Sequence, residues 1–262
     1  MIGIFDSGVG GMTVARAIEQ LCPSYPLVYF GDIARTPYGS KSRETIQRYA
    51  INNTNFLLEH GAKLIVIACN SAASAALDEL TERFAAPILD VITPAVDRAV
   101  QQSTTGRIGV IGTRATIKSG IYEQSIHKQR PACTVFSQPC PLLVPLVEEG
   151  WLGKRETKMI LRRYLHPLRC SQIDTLVLGC THYPLLAPLI ASRVGRRVTL
   201  IDSSIEVART VASFLDSHAE LARELHASTK KNRFFVSDLT DTANLLAAKI
   251  FGRAITLEKV NV

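Results

Sequence analysis

The 262-residue sequence predicts an α/β fold with two pseudo-symmetric domains, each a mainly parallel sheet flanked by helices. One observation behind this prediction is that short apolar runs alternate with helical stretches of about 10–20 residues, as in βαβ units. A second is that the strand pattern of the first half of the chain recurs in the second half. We therefore expect a cleft between two copies of one unit, with the active site in that cleft.

Apolar runs rich in β-branched residues mark the predicted strands, because the strands of parallel sheets are buried on both faces. The periodic segments between them are predicted helices. Phe234 and Phe235 indicate a further strand in the last part of the chain. In chain order, the eight main runs are Ile2 to Phe5, Leu27 to Phe30, Leu64 to Ala68, Pro87 to Leu89, Arg107 to Ile111, Thr134 to Phe136, Thr175 to Leu178 and Val198 to Ile201.

Three pairs of matching segments indicate the repeat, since they occur in the same order and at nearly the same spacing. They predict a first domain of residues 1–92 with 206–262, and a second domain of residues 93–205. The C-terminal stretch is left over after the two copies and is expected to pack onto the first. The pairs are Ile2 to Phe5 with Ile108 to Ile111, Leu64 to Asn70 with Thr175 to Thr181, and Leu89-Asp90 with Ile201-Asp202.

The composition excludes several classes of protein. Hydrophobic residues make up 47% of the chain and charged residues 20%, as in soluble globular proteins. The longest apolar runs are interrupted by prolines and are too short for a membrane-spanning helix, so no membrane association is expected. The first residues resemble a buried strand and not a signal peptide, which predicts a cytoplasmic protein.

The net charge indicates which partners to expect, and the cysteine content indicates whether disulfides form. The net charge of +7 favours anionic partners. Basic clusters at residues 162–169, 193–197 and 230–233 carry no nucleic-acid-binding motif, so nucleic acid is not an expected partner. Six cysteines at irregular spacing are too few for a disulfide framework, and we expect them to be thiols.

The residues that follow the predicted strands are the candidates for chemistry, because ligands of parallel sheets bind beyond the carboxyl ends of the strands. A cysteine occupies the same place in each copy: Cys69 follows the third strand and Cys180 follows the seventh. Copies that face each other would place these two thiols on opposite sides of one cleft. The other polar residues at strand ends are Asp6, Ser7, Asp32, Asn70, Thr113, Thr181 and His182.

Two thiols across a cleft suit the inversion of a carbon centre, because one group must remove a proton and another must return one on the opposite face. A free thiol has a pKa of about 8.5 and can act as base or acid. Asp6 and His182 are expected to tune the two thiols. Helices predicted to begin at Ser71 and Pro184 would direct their N-termini at the cleft, which favours an acidic substrate.

No cofactor and no metal are predicted. The segment Gly8 to Thr13 has threonine where the dinucleotide-binding fingerprint requires glycine or alanine. The segment Gly112 to Ser119 has Ile117 in place of the second glycine of a phosphate-binding loop. Cys180 with His182 falls short of the ligand set of a zinc site.

The residues leave three alternatives open. A hydrolase would use Cys180 as its nucleophile with a nearby histidine as base, which leaves the second cysteine unexplained. A binding protein without catalysis would clamp an acidic ligand between its two domains and would need no reactive thiols. A related two-thiol isomerase would act on aspartate or another small acid.

Five segments occur in one order along the first 202 residues: Asp6 to Gly11, Pro37 to Gly39, Ala68 to Ala72, Ile111 to Thr113 with Thr116 to Ser119, and Leu178 to Pro184. Together they resemble the glutamate racemase family. The resemblance implies two pseudo-symmetric α/β domains and the interconversion of L- and D-glutamate by two cysteines without a cofactor. It also implies a supply of D-glutamate for bacterial peptidoglycan, and a homodimer.

The resemblance assigns roles to particular residues. Cys69 and Cys180 match the two acid/base thiols, and Asp6 and His182 match their catalytic partners. Glu148 is a further candidate for an acidic residue near Cys180. The positions that match the substrate-binding set are Asp6, Ser7, Tyr38, Gly39, Asn70, Ser71, Thr113, Thr181 and His182.

Four positions, in three segments, depart from the residues common in this family. Ser71 replaces a threonine and keeps its hydroxyl. Thr93-Pro94-Ala95 replaces Glu-Pro-Gly, and Ala115 replaces a glycine. These departures leave both cysteines in place and bear on substrate preference and on the hinge between the domains.

Overall fold

The computed structural model describes residues 1–226 and 231–261, so Lys230 of the third basic cluster lies outside the described residues. Within these two ranges, strands and helices alternate along most of the chain. All eight predicted main runs and the Phe234-Phe235 pair contribute to strands, and a further strand near the C-terminus was not predicted. The strands are β1 Ile2–Asp6, β2 Leu27–Gly31, β3 Leu64–Ile67, β4 Ile88–Asp90, β5 Arg107–Gly112, β6 Thr134–Pro139, β7 Thr175–Gly179, β8 Thr199–Asp202, β9 Arg233–Val236 and β10 Leu257–Lys259.

The helices lie in the periodic segments. Several begin at a hydroxyl cap: Ser42, Thr113 and Thr240 each accept a hydrogen bond from the backbone N–H three residues further on. The helices are α1 Met12–Leu21, α2 Arg43–Glu59, α3 Asn70–Arg83, α4 Ile92–Gln102, α5 Arg114–Lys118, α6 Ile121–Gln129, α7 Leu143–Glu148, α8 Arg155–Cys170, α9 Ala187–Val194, α10 Ser203–Ser217, α11 Ala219–Leu225 and α12 Asp241–Phe251.

The strands form two parallel sheets. The six-stranded sheet has the order β10-β9-β2-β1-β3-β4, and the four-stranded sheet has the order β6-β5-β7-β8. The order β2-β1-β3-β4 in the first sheet therefore recurs as β6-β5-β7-β8 in the second. This repeated topology confirms the predicted fold class.

The glycine shared by the two copies of the first strand has a packing reason. A Cβ at Gly3 would lie 2.6 Å from Cβ of Ala62, and a Cβ at Gly109 would lie 2.7 Å from Cδ1 of Ile173. Ala62 and Ile173 stand just before β3 and β7, the strands that pair with β1 and β5. The two halves thus repeat the same close approach as well as the same strand order.

The C-terminal part of the chain adds to the six-stranded sheet. β9 pairs with β2 on one side and with β10 on the other. α10 packs against α1 of the first half and also against α4, where the chain enters the second half. The domain boundaries at 92/93 and 205/206 stay a prediction.

The topology decides which loops meet. β1 pairs with β3, and β5 pairs with β7, so the segments after these four strands lie side by side at the carboxyl edges of the two sheets. The helix predicted to begin at Ser71 begins at Asn70.

The prediction that an α-helix begins at Pro184 is wrong, because the segment starts with a 3-10 turn. A 3-10 turn spans Tyr183–Leu186, and α9 begins at Ala187. Pro184 has no N–H, and the neighbouring N–H groups of Tyr183 and Leu185 bond three residues back, to the carbonyls of Cys180 and His182.

Among the described residues, no helix has the length and apolar character needed to cross a membrane.

Candidate active site

One cavity between the two halves collects the residues that follow the central strands. It has a free volume of about 20 Å³, which is room for about one water molecule. Of the eleven residues that the family resemblance assigns to the catalytic and substrate-binding sets, all except Asp6 line this cavity. The lining residues are Ser7, Thr36, Pro37, Tyr38, Gly39, Cys69, Asn70, Ser71, Thr113, Val144, Cys180, Thr181 and His182.

Cys69 follows β3 and occupies the N-cap position of α3. Its side chain is 5% exposed, and its thiol donates to Oγ of Ser7 at 3.6 Å. Burial, together with the nearby Asp6 carboxylate, raises the pKa of the Cys69 thiol to about 12. At neutral pH this sulfur therefore carries its proton.

Cys180 lies at the end of β7 and is also 5% exposed. Its Sγ is 3.8 Å from Nδ1 of His182, and Nε2 of His182 is 3.2 Å from Oε1 of Glu148. Burial opposes a charged imidazole, but the hydrogen bonds to Cys180 and Glu148 outweigh it and raise the pKa of His182 to about 10. The protonated imidazole can therefore donate a hydrogen bond to the sulfur of Cys180.

Asp6 does not line the cavity but lies behind its wall, fully buried. Its carboxylate accepts hydrogen bonds from the backbone N–H of Gly8 at 3.0 Å and from Oγ1 of Thr181 at 3.3 Å. Burial raises the pKa of Asp6, and the charge of His182 and the hydrogen bonds oppose that rise. Asp6 thus acts on Cys69 through its field, while Ser7 makes the direct contact with the thiol.

The glycines after β1 allow this loop to approach both Asp6 and the opposite half. A Cβ at Gly11 would lie 2.3 Å from Cβ of Asp6, and a Cβ at Gly10 would lie 2.5 Å from the ring of His182. Thr13 also crosses between the halves, because its hydroxyl bonds the carbonyl of Thr181 at 3.2 Å. The glycine-rich segment that fails the dinucleotide fingerprint is therefore explained by close packing around the cavity.

Hydroxyl groups from both halves form a cluster on another wall. Oγ of Ser71 is 2.8 Å from Oγ1 of Thr113, and Oγ1 of Thr116 lies 3.3 Å and 3.1 Å from these two atoms. Gly39 approaches from the other side, where a Cβ would lie 2.6 Å from Cβ of Thr113. The hydroxyls can donate to a carboxylate.

Tyr38 lines the cavity, but its hydroxyl forms hydrogen bonds with residues outside the cavity. The phenol donates to Oδ2 of Asp32 and accepts from Nδ2 of Asn53 at 3.1 Å. Asp32 also forms an ion pair with Arg35 at 2.7 Å. The strand-end residue Asp32 therefore holds Tyr38 in place and does not face the cavity.

Several contributors to the site were not predicted from the sequence. Thr36, Pro37 and Val144 line the cavity, and Tyr122 bonds the side chain of Asn70. The Pro37-Tyr38-Gly39 motif was a signal for Pro37, whereas nothing near Tyr122 marks it as a site residue. Within the described residues, no group of three or more His, Cys, Asp or Glu side chains is placed to hold a metal ion.

Apart from Ser71, the departures from the family pattern lie away from the cavity wall. Thr93 donates to Asp90 through its backbone N–H at 2.9 Å and its hydroxyl at 2.7 Å. Neither Thr93-Pro94-Ala95 nor Ala115 is among the lining residues, whereas Ser71 is.

The fold and the cavity define an enzyme of two similar α/β halves that brings a thiol from each half to one buried site. The sequence model of the Asp/Glu/Hydantoin racemase family matches residues 7–211. The chain belongs to this family, and it is an isomerase.

Relatives and solved structures confirm the resemblance found in the sequence motifs. A glutamate racemase from Geobacter metallireducens is 45% identical over 238 residues, which cover 91% of this chain and 87% of that protein. A glutamate racemase isoform from Bacillus anthracis superposes with a TM-score of 0.93 at 36% identity, covering 100% of this chain and 97% of the other. The glutamate racemase from Francisella tularensis, solved in complex with D-glutamate, gives a TM-score of 0.90 at 37% identity and covers 99% and 97%.

Proposed function

We propose that this protein interconverts L- and D-glutamate by moving the Cα proton between two thiols, Cys69 and Cys180, without a cofactor. The observation that carries the proposal is that two cysteines at equivalent places in two repeated halves line one buried cavity. The D-glutamate complex of the Francisella tularensis relative supports glutamate as the substrate.

The unequal surroundings of the two thiols set the direction of proton flow in the closed structure. Cys180 lies beside the protonated His182, and we assign to it the removal of the Cα proton. Cys69 keeps its proton and returns it to the opposite face of the carbanion. Each turnover leaves Cys180 protonated and Cys69 as thiolate, which is the starting state for the reverse direction.

The polar groups around the thiols form two sets, one suited to the carboxylates of glutamate and one suited to its ammonium group. The hydroxyls of Ser71 and Thr113 and the amide of Asn70 line the cavity and are donors for carboxylates. Ser7 provides a hydroxyl oxygen for the ammonium group, and Asp6 lies behind it in the wall of the cavity. Negative charge that develops during proton removal spreads onto the α-carboxylate, where hydroxyl donors stabilise it.

The size of the cavity requires movement. A free volume of about 20 Å³ is far too small for glutamate. Donors from both halves meet at this cavity, so substrate entry requires the halves to separate and binding favours their closure. Gly39 against Thr113, and Gly10 against His182, are the contacts that must part.

Proton NMR of the purified protein with L-glutamate, and separately with D-glutamate, in deuterium oxide tests the proposal. We expect loss of the Cα proton signal and inversion from both enantiomers without added cofactor. Exchange with aspartate but not with glutamate would show that aspartate is the substrate, and the two-thiol chemistry would still hold. Full racemisation in both Cys69→Ser and Cys180→Ser would overturn the two-thiol mechanism.

The cellular role follows from the product. We propose that the D-glutamate supplies peptidoglycan synthesis in the cytoplasm, and that the protein works as a homodimer. Growth of a depleted bacterial strain with and without external D-glutamate tests the role. Light scattering of the purified protein tests the assembly.

A further inference from the structure

Tyr122 connects the two halves through a hydrogen bond to Asn70. Tyr122 lies on α6, in the half built on the four-stranded sheet, and Asn70 is the first residue of α3 in the other half. The Tyr122 hydroxyl donates to Oδ1 of Asn70 at 2.7 Å, and each residue is 2% exposed. Burial raises the pKa of Tyr122 well above its ordinary value, with a further contribution from Asp90 and Cys180, so the phenol remains a donor.

The other end of the Asn70 amide has no partner. Among the buried side-chain nitrogen and oxygen atoms of the described residues, Nδ2 of Asn70 is the one without a hydrogen bond. A buried amide donor left unpaired is costly, and such atoms in native proteins are explained by a ligand or a functional role. Asn70 lines the cavity beside Cys69. The bond from Tyr122 occupies Oδ1, which leaves the NH₂ group for the contents of the cavity.

We propose that Tyr122 is a positioning residue, which orients the Asn70 amide so that Nδ2 donates to a carboxylate oxygen of the substrate. This inference rests on the proposed function, since it takes glutamate as the ligand. The amino group of glutamate is protonated at neutral pH and cannot accept a hydrogen bond. The acceptors that remain are its carboxylate oxygens.

The ring of Tyr122 has a second contact that ties it to the other thiol. A Cβ at Gly179 would lie 3.2 Å from Cε2 of Tyr122, so the ring rests against the backbone just before Cys180. Tyr122 therefore contacts the end of β7 and the start of α3, the two segments that carry the cysteines. Because its hydrogen bond joins the halves, separation of the halves breaks the bond and closure aligns the Asn70 amide.

The Tyr122→Phe variant tests this role, because it removes the hydroxyl and keeps the ring against Gly179. We expect KM for L- and D-glutamate to rise about 3- to 10-fold, as for loss of one oriented hydrogen bond. We expect kcat to change less than about 2-fold, because the amide binds the carboxylate in both the ground state and the transition state. Tyr164→Phe is the matched control, since it removes a hydroxyl bonded to the Leu142 backbone outside the cavity. Its KM should match that of the wild type.

A double-mutant cycle separates orientation from general packing. In an Asn70→Ala background, Tyr122→Phe should cause no further change in KM, because the group it orients is gone. Equal effects of Tyr122→Phe with and without the Asn70 amide would overturn the proposal, as would an unchanged KM in the single variant. Failure of the wild type to racemise glutamate would instead overturn the proposed function, so the two outcomes are distinguishable. Thermal unfolding confirms that each variant is folded.

Discussion

His182 lies with Nε2 at 3.2 Å from Oε1 of Glu148; His182 follows β7, and Glu148 is the last residue of α7 in the same half. The histidine is 3% exposed and the glutamate 33%, so the carboxylate connects a buried imidazole to solvent. The other ring nitrogen contacts Cys180. Glu148 therefore helps to keep the charge on the imidazole that contacts Cys180.

The Glu148→Gln variant should lower kcat/KM about 10-fold or more, because a hydrogen bond to a charged group contributes about 1.5–3 kcal/mol. Loss of the carboxylate also lowers the pKa of His182, so the alkaline limb of the activity profile should move to lower pH. The measurement is kcat/KM between pH 6 and 10. The adjacent, exposed Glu149→Gln is the control and should behave as wild type. An unshifted alkaline limb in Glu148→Gln would contradict this prediction.

Cys69→Ser and Cys180→Ser should each reduce racemisation by at least about 10²-fold, the lower range for loss of a positioned acid or base. A hydroxyl is a far weaker acid than a thiol and cannot replace it in either role. Circular dichroism of glutamate follows the inversion. Cys170→Ser is the control, because Cys170 is exposed and outside the cavity. Substantial loss of activity in Cys170→Ser would show that the assay reports a general effect of removing thiols.

The Gly10→Ala variant should lower kcat/KM at least about 10-fold, because the new methyl group would lie 2.5 Å from the His182 ring and 2.7 Å from Oγ1 of Thr181. The ring must move, and its contact with Cys180 is lost. Gly153→Ala is the control, since a Cβ there meets nothing within 4 Å. Wild-type kinetics in Gly10→Ala would show that the two halves do not approach this closely during turnover.

The pH dependence of stability should report the charge of His182. Its pKa is raised from 6.5 to about 10 in the folded state, so its stabilising contribution is fully present below pH 6.5 and is lost as pH rises through about 10. The difference in free energy of unfolding between wild type and His182→Asn should therefore shrink across this range. Urea titrations at several pH values measure it. A difference that stays constant from pH 6.5 to 10 would argue against a charged His182 in the folded protein.

The positions of the two cysteines could be predicted because they depend on local pattern and strand polarity. Cys69 and Cys180 follow apolar runs of the same type, and the ends of parallel strands in two facing copies meet at one cleft. The same logic located Ser7, Asn70, Thr113, Thr181 and His182, which all line the cavity.

Other features depend on which side chains pack together across long separations in sequence. Asp6 was predicted to follow the first strand and is its last residue, and its side chain turns behind the wall toward Thr181. Tyr38 shares a motif with Gly39, yet its hydroxyl faces Asp32 and Asn53. No periodicity of α6 indicates that Tyr122 reaches Asn70.

The sequence by itself determined the α/β class, the duplicated strand order and the pair of thiols. Apolar runs, their order and the residues at their ends depend only on residues that are neighbours in the sequence. The tertiary structure decided the different surroundings of those thiols. Cys69 is buried beside Asp6 and Ser7, whereas Cys180 contacts a histidine held by Glu148. The physical reason is that burial and charge at a sulfur atom depend on every group within a few ångströms of it, and those groups come from distant parts of the chain.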